Sequence, residues 1–547
     1  MATRTNEDVI LPSFTCRTTF NSLLFCSVNE MDDIRLSSSR ILILLYQQKS
    51  LHDIGSSNCK KDVQEYEKLF YLWFDLAIKL IDSPKASDME GGADLMNILL
   101  EIRPEKVFYV PKSLKFEQDD AVDSQRYHEQ IINDLLLKIE KQFAIAQQNI
   151  LYSSYKQPIA GSIIALTHCL VDCCRVKADL SSSFVFRTIS ILESLYSRLV
   201  VFALDSLAES SGGKSLIARH GHGSVQCNDD VLSLESVCVE TVISELDKQD
   251  HSSLHQFVLS FLWHIMKTCC WSAAKLIQQY SAEITDEHFK SFLIHTVITV
   301  LLRTRHKGAM ESAQEALGVM TQCAFIKPNS LRGDEQRIKI VEDQLYDILN
   351  KLESTVHEHR ISTTRRSAGY AMLFTSVCSN IQGRHSFIRE IIIEKLLKIA
   401  TVKVERVQDF DESSDLPSTL SLHILHSLVQ CSKLNSFFET RLSIVAIVCL
   451  QCFSSKIWSI RNAALQLFGA IVPKILGQKK VKEDSSVFNS ITAGEFCSKN
   501  TSLICYILKI LSICCESSQK TLKSNYSERE AEFTFSYLGH KCPILNN

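Results

Sequence analysis

The stretch that most resembles a site for chemistry is Gly212–Ser215, which reads G-G-K-S. A glycine-rich loop binds phosphate through its backbone N–H groups when it follows a strand and opens a helix. That motif also needs a glycine five residues before Gly213, and Ala208 occupies the position. Because no strand-like run precedes the stretch either, we interpret it as a solvated loop rather than a nucleotide site.

Two histidine-containing stretches raise the question of a metal site. His220, His222 and Cys227 are ligand types, but no fourth ligand follows at a useful spacing. Residues 357–360 read H-E-H-R, whereas two histidines bind zinc from one helix face when they are four residues apart, and Ile361 stands at that position. We therefore predict no metal site. No nucleophile–base–acid set or cofactor fingerprint occurs elsewhere, so we expect no catalysis and no cofactor.

Clustered cations are the remaining candidates for function, because lysine and arginine bind phosphate groups. The net charge of −3 disfavours indiscriminate nucleic-acid binding and limits any RNA contact to local patches. Three such patches lie at predicted helix ends. They are Arg365 and Arg366 with His357, His359 and Arg360 upstream; Lys474, Lys479, Lys480 and Lys482; and Arg303, Arg305, His306 and Lys307.

Each patch also has a purely structural interpretation. Cations near a helix C-terminus stabilise the helix by about 0.3–1 kcal/mol through its dipole, without any ligand. For Arg365 and Arg366, contact with RNA or a partner and bracing between helices both remain open. We predict that the small residues that follow, Ser367, Ala368 and Gly369, let two helices approach closely.

The elements that must position these residues are all predicted to be helices. Hydrophobic residues make up 45% of the 547 residues, and only 17 glycines and 9 prolines interrupt them. Apolar residues recur at helical spacing in segments that follow one another at intervals of roughly 20 to 25 residues, which predicts an all-α, HEAT/armadillo-like helical-repeat solenoid. The predicted helices are 34–49, 62–82, 91–101, 124–151, 159–176, 181–208, 231–247, 252–281, 286–304, 309–325, 336–357, 361–380, 386–403, 417–432, 437–452, 457–476 and 500–516.

The clearest repeat is formed by the segments 437–452 and 457–476, with four residues between them. Two apolar helices joined so tightly must pack antiparallel as an αα-hairpin. For Arg461, beside Asn462 on the polar side, we favour a structural brace over RNA contact. The residues predicted to hold the stack together are Trp458, Ile460, Ala464, Leu467 and Phe468.

Breaks in the helical pattern divide the chain into five predicted stretches. Glycine, serine and charged residues mark the main internal boundary, and polar composition marks the C-terminal segment. The stretches are an irregular N-terminus at 1–30, N-terminal helical repeats at 31–208, a polar loop at 209–230, a core of helical repeats at 231–480, and a flexible segment with one or two helices and a tail at 481–547.

The cellular location is indicated by signals that the sequence lacks. The N-terminus has no apolar run typical of a secretory signal, and no apolar segment is both long and uncharged enough to span a bilayer. The 20 cysteines stand singly or as adjacent pairs within apolar runs, which is typical of reduced, buried thiols. We therefore expect a cytoplasmic protein without direct membrane insertion.

Four ordered blocks of sequence are distinctive in combination. Residues 262–267 read L-W-H-I-M-K, residues 306–313 read H-K-G-A-M-E-S-A, and residues 364–371 read T-R-R-S-A-G-Y-A. The fourth block runs from D-L-P-S-T-L-S-L-H-I-L at 415–425 to W-S-I-R-N-A-A at 458–464. Together they resemble the W-x-S-x-K-E, H-x-G-A-F-E-x-A, R-R-S-A-G-L-P and W-x-V-R-N-x-A stretches of the THADA family, large helical-repeat proteins of eukaryotes.

The resemblance covers roughly residues 231–480. Thr268 replaces an acidic residue of the first block, and Tyr370 and Ala371 depart from the last two positions of the third. Members of the family are typically much longer, so we expect this chain to be a short or partial member.

The resemblance implies a non-catalytic scaffold subunit that binds tRNA and a separate 2′-O-methyltransferase catalytic subunit, which would use S-adenosylmethionine. The scaffold would direct methylation of a ribose in the anticodon loop. The residues offered for tRNA or partner contact are Arg360, Arg365, Arg366, Arg305, Lys307, Lys474, Lys479 and Lys480.

Two other hypotheses remain open. One is a protein–protein interaction scaffold without RNA, which includes regulation of a membrane calcium pump of the endoplasmic reticulum. The other is a short form that lacks the regions needed to hold tRNA or the methyltransferase and is inactive. Salt sensitivity separates the first from an RNA scaffold, because RNA binding releases counterions and weakens steeply as salt rises.

Overall fold

The computed structural model describes residues 17–47, 60–102, 124–211, 251–326, 333–354, 366–381, 383–402, 416–476 and 491–523. Every regular element within these ranges is a helix. The helices are α1 Arg17–Cys26, α2 Asp32–Gln47, α3 Lys60–Ile81, α4 Ala86–Ile102, α5 Ser124–Gln148, α6 Ile150–Lys156, α7 Ile159–Val171, α8 Cys174–Asp179, α9 Ser182–Ser211, α10 His251–Gln279, α11 Asp286–Ser291, a π-helix Phe292–Ile298, α12 Thr299–Arg303, α13 Lys307–Ile326, α14 Gly333–Ser354, α15 Arg366–Asn380, α16 Phe387–Ala400, α17 Pro417–Gln430, α18 Asn435–Phe438, α19 Leu442–Cys452, α20 Trp458–Leu476, α21 Ala493–Lys499 and α22 Thr501–Lys523. Short 3₁₀ turns occupy Gly383–Ser386 and Ser432–Leu434.

The chain forms two compact units, residues 1–343 and 344–547. In the first unit, α4 packs against α7, α7 against α10, and α10 against α13. Helices α3, α5 and α9 cover this row from outside. Because α7 has neighbours on nearly every side, all of its residues except His168 are buried. A helix enclosed in this way is expected to be apolar around its whole circumference, and α7 largely is.

A buried group of hydroxyls joins three helices of this row. Ser272 of α10 lies within hydrogen-bonding distance of Thr167 of α7, and its Oγ is 2.7 Å from the Tyr196 hydroxyl of α9. All three residues are almost fully buried. Burying a hydroxyl is tolerated only when it has a partner, so this group fixes how the three helices align.

The second unit repeats the arrangement with its own row of helices. Helices α15, α17 and α20 pack one against the next, and α16, α19 and α22 form a second row in which each contacts its neighbour. Successive helix pairs that stack on their neighbours define a helical-repeat protein. The predicted all-α helical-repeat fold is confirmed.

Most predicted helix bounds agree with the observed helices, and three differences have a visible cause. Helix α1 lies in the stretch expected to be irregular, where Leu24 packs in the core. Helix α21 lies in a stretch predicted to be polar and flexible, where Thr492 and Glu495 form a capping box in which each side chain accepts the other residue's backbone N–H. The predicted helix 286–304 contains the π-helix, and the Thr299 hydroxyl donates to the carbonyl of Ile294, five residues earlier.

The predicted αα-hairpin is present in modified form. Helix α19 packs against α20, but the segment predicted as one helix at 437–452 is divided into α18 and α19. The division falls at Arg441, whose guanidinium donates to the Phe437 carbonyl at 2.8 Å and pairs with Glu390 of α16 at 2.6 Å.

The predicted helix 231–247 and the loop 209–230, from residue 212 onward, lie outside the described residues. The proposed domain bounds stay a prediction. No helix in the described ranges is both long and apolar enough to cross a membrane.

Candidate nucleic-acid interface

Several of the candidate contact residues lie outside the described part of the chain. They are Arg360, Arg365, Lys479 and Lys480, together with His357 and His359. Arg366 begins α15, but its side chain is not described, and the same holds for Ser367. Their contact with tRNA or a partner stays a prediction. Of the next two residues of α15, Ala368 is exposed and Gly369 is buried. The helix packs against α17.

Lys474 has partners within its own unit. Its ammonium donates to the carbonyl of Val429, in the last turn of α17, and to the side-chain oxygen of Asn435. Partial burial lowers the pKa of Lys474. A cation at the carbonyl end of α17 stabilises that helix. Contact between Lys474 and RNA stays a prediction, and it would require the ammonium to exchange these acceptors for phosphate.

The residues around Trp458 divide into a core group and a surface group. Ile460 and Leu467 are buried as predicted, whereas Trp458 is 68% exposed, so its predicted role in holding the stack is wrong. Trp458 is the first residue of α20 and directs its indole to solvent. Arg461 donates to the carbonyls of Ser455 and Lys456, at 2.8 and 2.9 Å, and so braces its own hairpin.

Two other side chains of α20 have intermediate positions. Asn462 is half-buried. Phe468 is also half-buried, and it packs edge-on against Phe453 with ring centroids 5.6 Å apart. Phe468 therefore joins α20 to the end of α19, as its predicted packing role requires.

The third basic patch lies beside aromatic rings that come from a distant stretch of sequence. Because α10 packs against α13, residues 262–267 and 306–313 meet, which are the first two of the four distinctive blocks. The Trp263 indole lies nearly parallel to the His306 imidazole, with centroids 4.9 Å apart and planes inclined by 16°. It is also stacked with His264, at 4.0 Å and 26°. We call Trp263, His264 and His306 the ring stack.

Backbone and side-chain contacts hold the ring stack in place. The Ala309 N–H donates to His306 Nδ1 at 3.3 Å, so this imidazole caps the start of α13 and carries its proton on Nε2 when neutral. The Ser312 hydroxyl donates to the Lys267 carbonyl at 3.2 Å and joins α13 to α10. A β-carbon on Gly308 would stand only 3.3 Å from His306 Cε1, so a glycine here leaves room for the stacked rings.

Lys267 contacts the ring stack, and three further cations, Arg303, Arg305 and Lys307, lie within three residues of His306 in sequence. The Lys267 ammonium lies 5.8 Å from the centroid of the Trp263 ring. Arg303 pairs with Asp205 at 3.1 Å and Lys307 with Glu311 at 3.5 Å, and both pairs are largely exposed. Within the described part of the chain, exposed Arg305 makes no ion pair. Exposed ion pairs contribute little energy, so these cations are available to phosphate.

His264 is held in its neutral form. Burial, followed by the nearby Lys267 ammonium and His306, lowers the pKa of His264 to about 4. At neutral pH Trp263 and His264 are therefore uncharged. The positive charge lies on the rim of the ring stack, which is formed by Lys267, Arg303, Arg305 and Lys307. The described residues contain no group of three or more His, Cys, Asp or Glu that could hold a metal ion. Flat rings beside exposed cations are suited to binding a nucleotide.

Sequence reasoning identified Arg303, Arg305, His306 and Lys307 but missed the rings of Trp263 and His264 beside them. The signal was present, since Trp263 and His264 stand in one family block and His306 opens the next. Nothing in the spacing alone indicated that the two blocks are in contact.

Two family models match adjoining parts of the chain. The family model described as THADA/TRM732, DUF2428 matches residues 190–459, which include the whole ring stack. A second model, described as Trm732, C-terminal TPR repeats, matches residues 461–538.

Similar proteins extend the match over most of the chain. The tRNA (32-2′-O)-methyltransferase regulator THADA of Homo sapiens is 22% identical over 93% of this chain, and the regulator of the same name from Canis lupus familiaris is 22% identical over 90%. The tRNA (32-2′-O)-methyltransferase regulator trm732 of Schizosaccharomyces pombe is 22% identical over 88%. The chain spans 26% to 30% of the length of these relatives. The two adjoining family models and these relatives place the chain in the THADA/TRM732 family.

Proposed function

We propose that this chain is a non-catalytic regulatory subunit that binds tRNA and a separate 2′-O-methyltransferase, and that it directs methylation of a ribose in the anticodon loop. The observation that carries the proposal is the ring stack with its rim of cations, at the meeting point of two family blocks. Phosphate contacts would supply affinity, and the rigid helical rows would hold the RNA in one orientation relative to the enzyme.

Two further points support the regulatory part of the proposal. The similar proteins from mammals and fission yeast are named as regulators of a tRNA methyltransferase. The side chains around the ring stack include a capping histidine, a half-buried neutral histidine and paired cations, and none of these is arranged as a nucleophile with a base. A partner enzyme would therefore supply the methyl transfer and its S-adenosylmethionine.

The proposal is tested by the salt dependence of tRNA binding. We expect Arg305→Ala combined with Lys307→Ala to weaken tRNA binding and to lower the slope of log K against log salt by about 0.7–0.9 for each phosphate that the variant no longer neutralises. The matched control replaces two exposed lysines of the same unit, Lys290→Ala with Lys339→Ala, and should leave both quantities unchanged.

The same preparation tests the methyltransferase partner. The chain should co-purify from cells with both tRNA and a methyltransferase, and the combined complex should methylate tRNA faster than the enzyme alone. Recovery of neither would contradict the proposal and favour the inactive short form. Recovery of a protein partner whose binding is insensitive to salt would instead favour the interaction scaffold, for which the calcium pump stays a prediction.

A further inference from the structure

The ring stack is more than a structural contact between α10 and α13, because one of its three residues is exposed at the surface. His306 is exposed, whereas Trp263 and His264 are half-buried. The imidazole is already held nearly parallel to a large indole, at 16°, and a hydrogen bond to the backbone of α13 fixes its orientation. A flat, pre-oriented ring at the surface is what a nucleobase needs for stacking.

The charges beside His306 match the rest of a nucleotide. Arg305 and Lys307 flank it directly in sequence, and both are exposed. The only carboxylate paired with either of them in the described residues is Glu311, at 3.5 Å from the Lys307 ammonium. A base that lies against His306 would therefore have its own phosphate and the next one within reach of two cationic side chains.

The ring arrangement favours an unpaired base over a duplex. Bases inside a helix are covered on both faces by their neighbours, so only a base turned out of the stack exposes a face to a protein ring. A duplex could touch the cations through its phosphates, but it could not reach the imidazole face.

We propose that the ring stack binds one unpaired nucleotide of an RNA, with the base against His306 and the adjoining phosphates on Arg305 and Lys307. The inference rests on the proposed function and specifies the part of the RNA that this site recognises. Lys267 contacts the Trp263 ring, and Arg303, three residues before His306, is paired with Asp205. Both cations add long-range attraction for a polyanion.

Two substitutions at residue 306 separate stacking from helix capping. His306→Asn keeps a side-chain oxygen that can cap α13 and removes the ring, whereas His306→Phe keeps a ring and removes the cap. We expect His306→Asn to weaken binding of an RNA hairpin with an unpaired loop by roughly 5- to 140-fold, which is the range typical for loss of one base–aromatic stack. His306→Phe should retain most of the affinity and lower the thermal stability instead.

Tryptophan fluorescence supplies a direct signal from the site. The hairpin should quench the wild-type protein, and the quenching should persist in Trp458→Phe, which removes an exposed tryptophan of the other unit. Quenching should disappear in Trp263→Phe. A duplex with the same stem length should cause little quenching at equal occupancy.

The outcomes distinguish this inference from the proposed function. If the wild-type chain binds tRNA but His306→Asn binds it equally well, only the stacking inference is overturned. The same holds if the duplex quenches as strongly as the hairpin, or if a purified methyltransferase protein quenches Trp263 while RNA does not. If the wild-type chain binds no RNA at low salt, both proposals fail.

Discussion

At the scale of single residues, the surrounding helices set the charge state of groups that sequence reading would leave undefined. His264 loses its positive charge because burial and Lys267 oppose protonation, which lowers its pKa. Lys474 has its pKa lowered by burial, while its ammonium serves acceptors from α17 and from Asn435. The His264 imidazole is therefore neutral although cations lie near it, whereas the Lys474 ammonium binds a carbonyl at the C-terminal end of α17.

The neutral state of His264 makes stability depend on pH. Its folded pKa of about 4 is below the ordinary histidine value of 6.5, so the unfolded chain binds a proton more readily between these values and stability falls as pH falls from 6.5 to 4. At pH 5 this residue should cost at most about 2 kcal/mol. We expect His264→Asn to lose less stability than wild type between pH 7.5 and pH 5, as measured by urea unfolding.

Two other histidines also have lowered pKa values, so the measurement needs a control for their contribution. Burial lowers the pKa of His423 and His426, which lie on α17 in the other unit. They contribute equally in wild type and in His264→Asn, so the difference between the two proteins isolates His264. An identical loss of stability in both proteins would contradict the assignment.

At the scale of elements, close helix packing depends on individual glycines. A β-carbon on Gly161 of α7 would stand 2.1 Å from the Ile81 carbonyl oxygen, at the end of α3, and 3.0 Å from Met89 Cγ of α4. A carbonyl at a helix end cannot move without moving the helix. Gly469 of α20 is the opposite case, since nothing lies within 4 Å of the added carbon.

This contrast predicts opposite effects for the same substitution. Gly161→Ala should destabilise the first unit by at least about 2 kcal/mol, because overpacking forces a backbone shift. Gly469→Ala should be neutral or stabilise its helix by up to about 1 kcal/mol through helix propensity. Thermal melting followed by circular dichroism would measure both, and a stable Gly161→Ala protein would contradict the packing of α7 on α3.

Two apolar residues of α20, one buried and one exposed, predict different costs of substitution. Leu467 is fully buried, so Leu467→Ala should cost about 2–5 kcal/mol by leaving a cavity. Trp458 is mostly exposed, so Trp458→Ser should change the free energy of unfolding by less than about 0.5 kcal/mol. Urea titration of the two variants measures the difference. A loss of several kcal/mol in Trp458→Ser would show that the indole packs in the core after all.

At the scale of the whole molecule, periodicity predicted the helices well because each repeat buries one apolar stripe. It could not predict contacts between distant stretches. Trp263 and His306 meet only because α10 packs on α13, and Lys474 reaches a carbonyl 45 positions away in sequence. Trp458 was wrongly predicted to be buried. Helical periodicity does not show which residues in the first turn of a helix extend beyond the neighbouring helix.

Cysteine placement shows the same limit. The sequence indicated buried thiols, and Cys269 and Cys270 of α10 are fully buried, with the pKa of each thiol raised by burial. Cys174 and Cys515, however, are exposed although each belongs to an adjacent pair. Adjacent residues of a helix point in different directions, so a cysteine pair inside an apolar run need not be buried as a pair.

RNA binding by the whole chain provides the last prediction. Arg365→Ala with Arg366→Ala should weaken tRNA binding and reduce its salt dependence, while helicity and melting temperature stay unchanged, if these arginines contact phosphate. The matched control is Arg40→Ala with Arg126→Ala, which removes two exposed arginines and should leave binding intact. Filter binding across a salt series measures the effect. Unchanged tRNA affinity would assign the arginine pair to structural bracing, and so would a protein that no longer folds; in either case the ring stack would be left as the principal RNA contact.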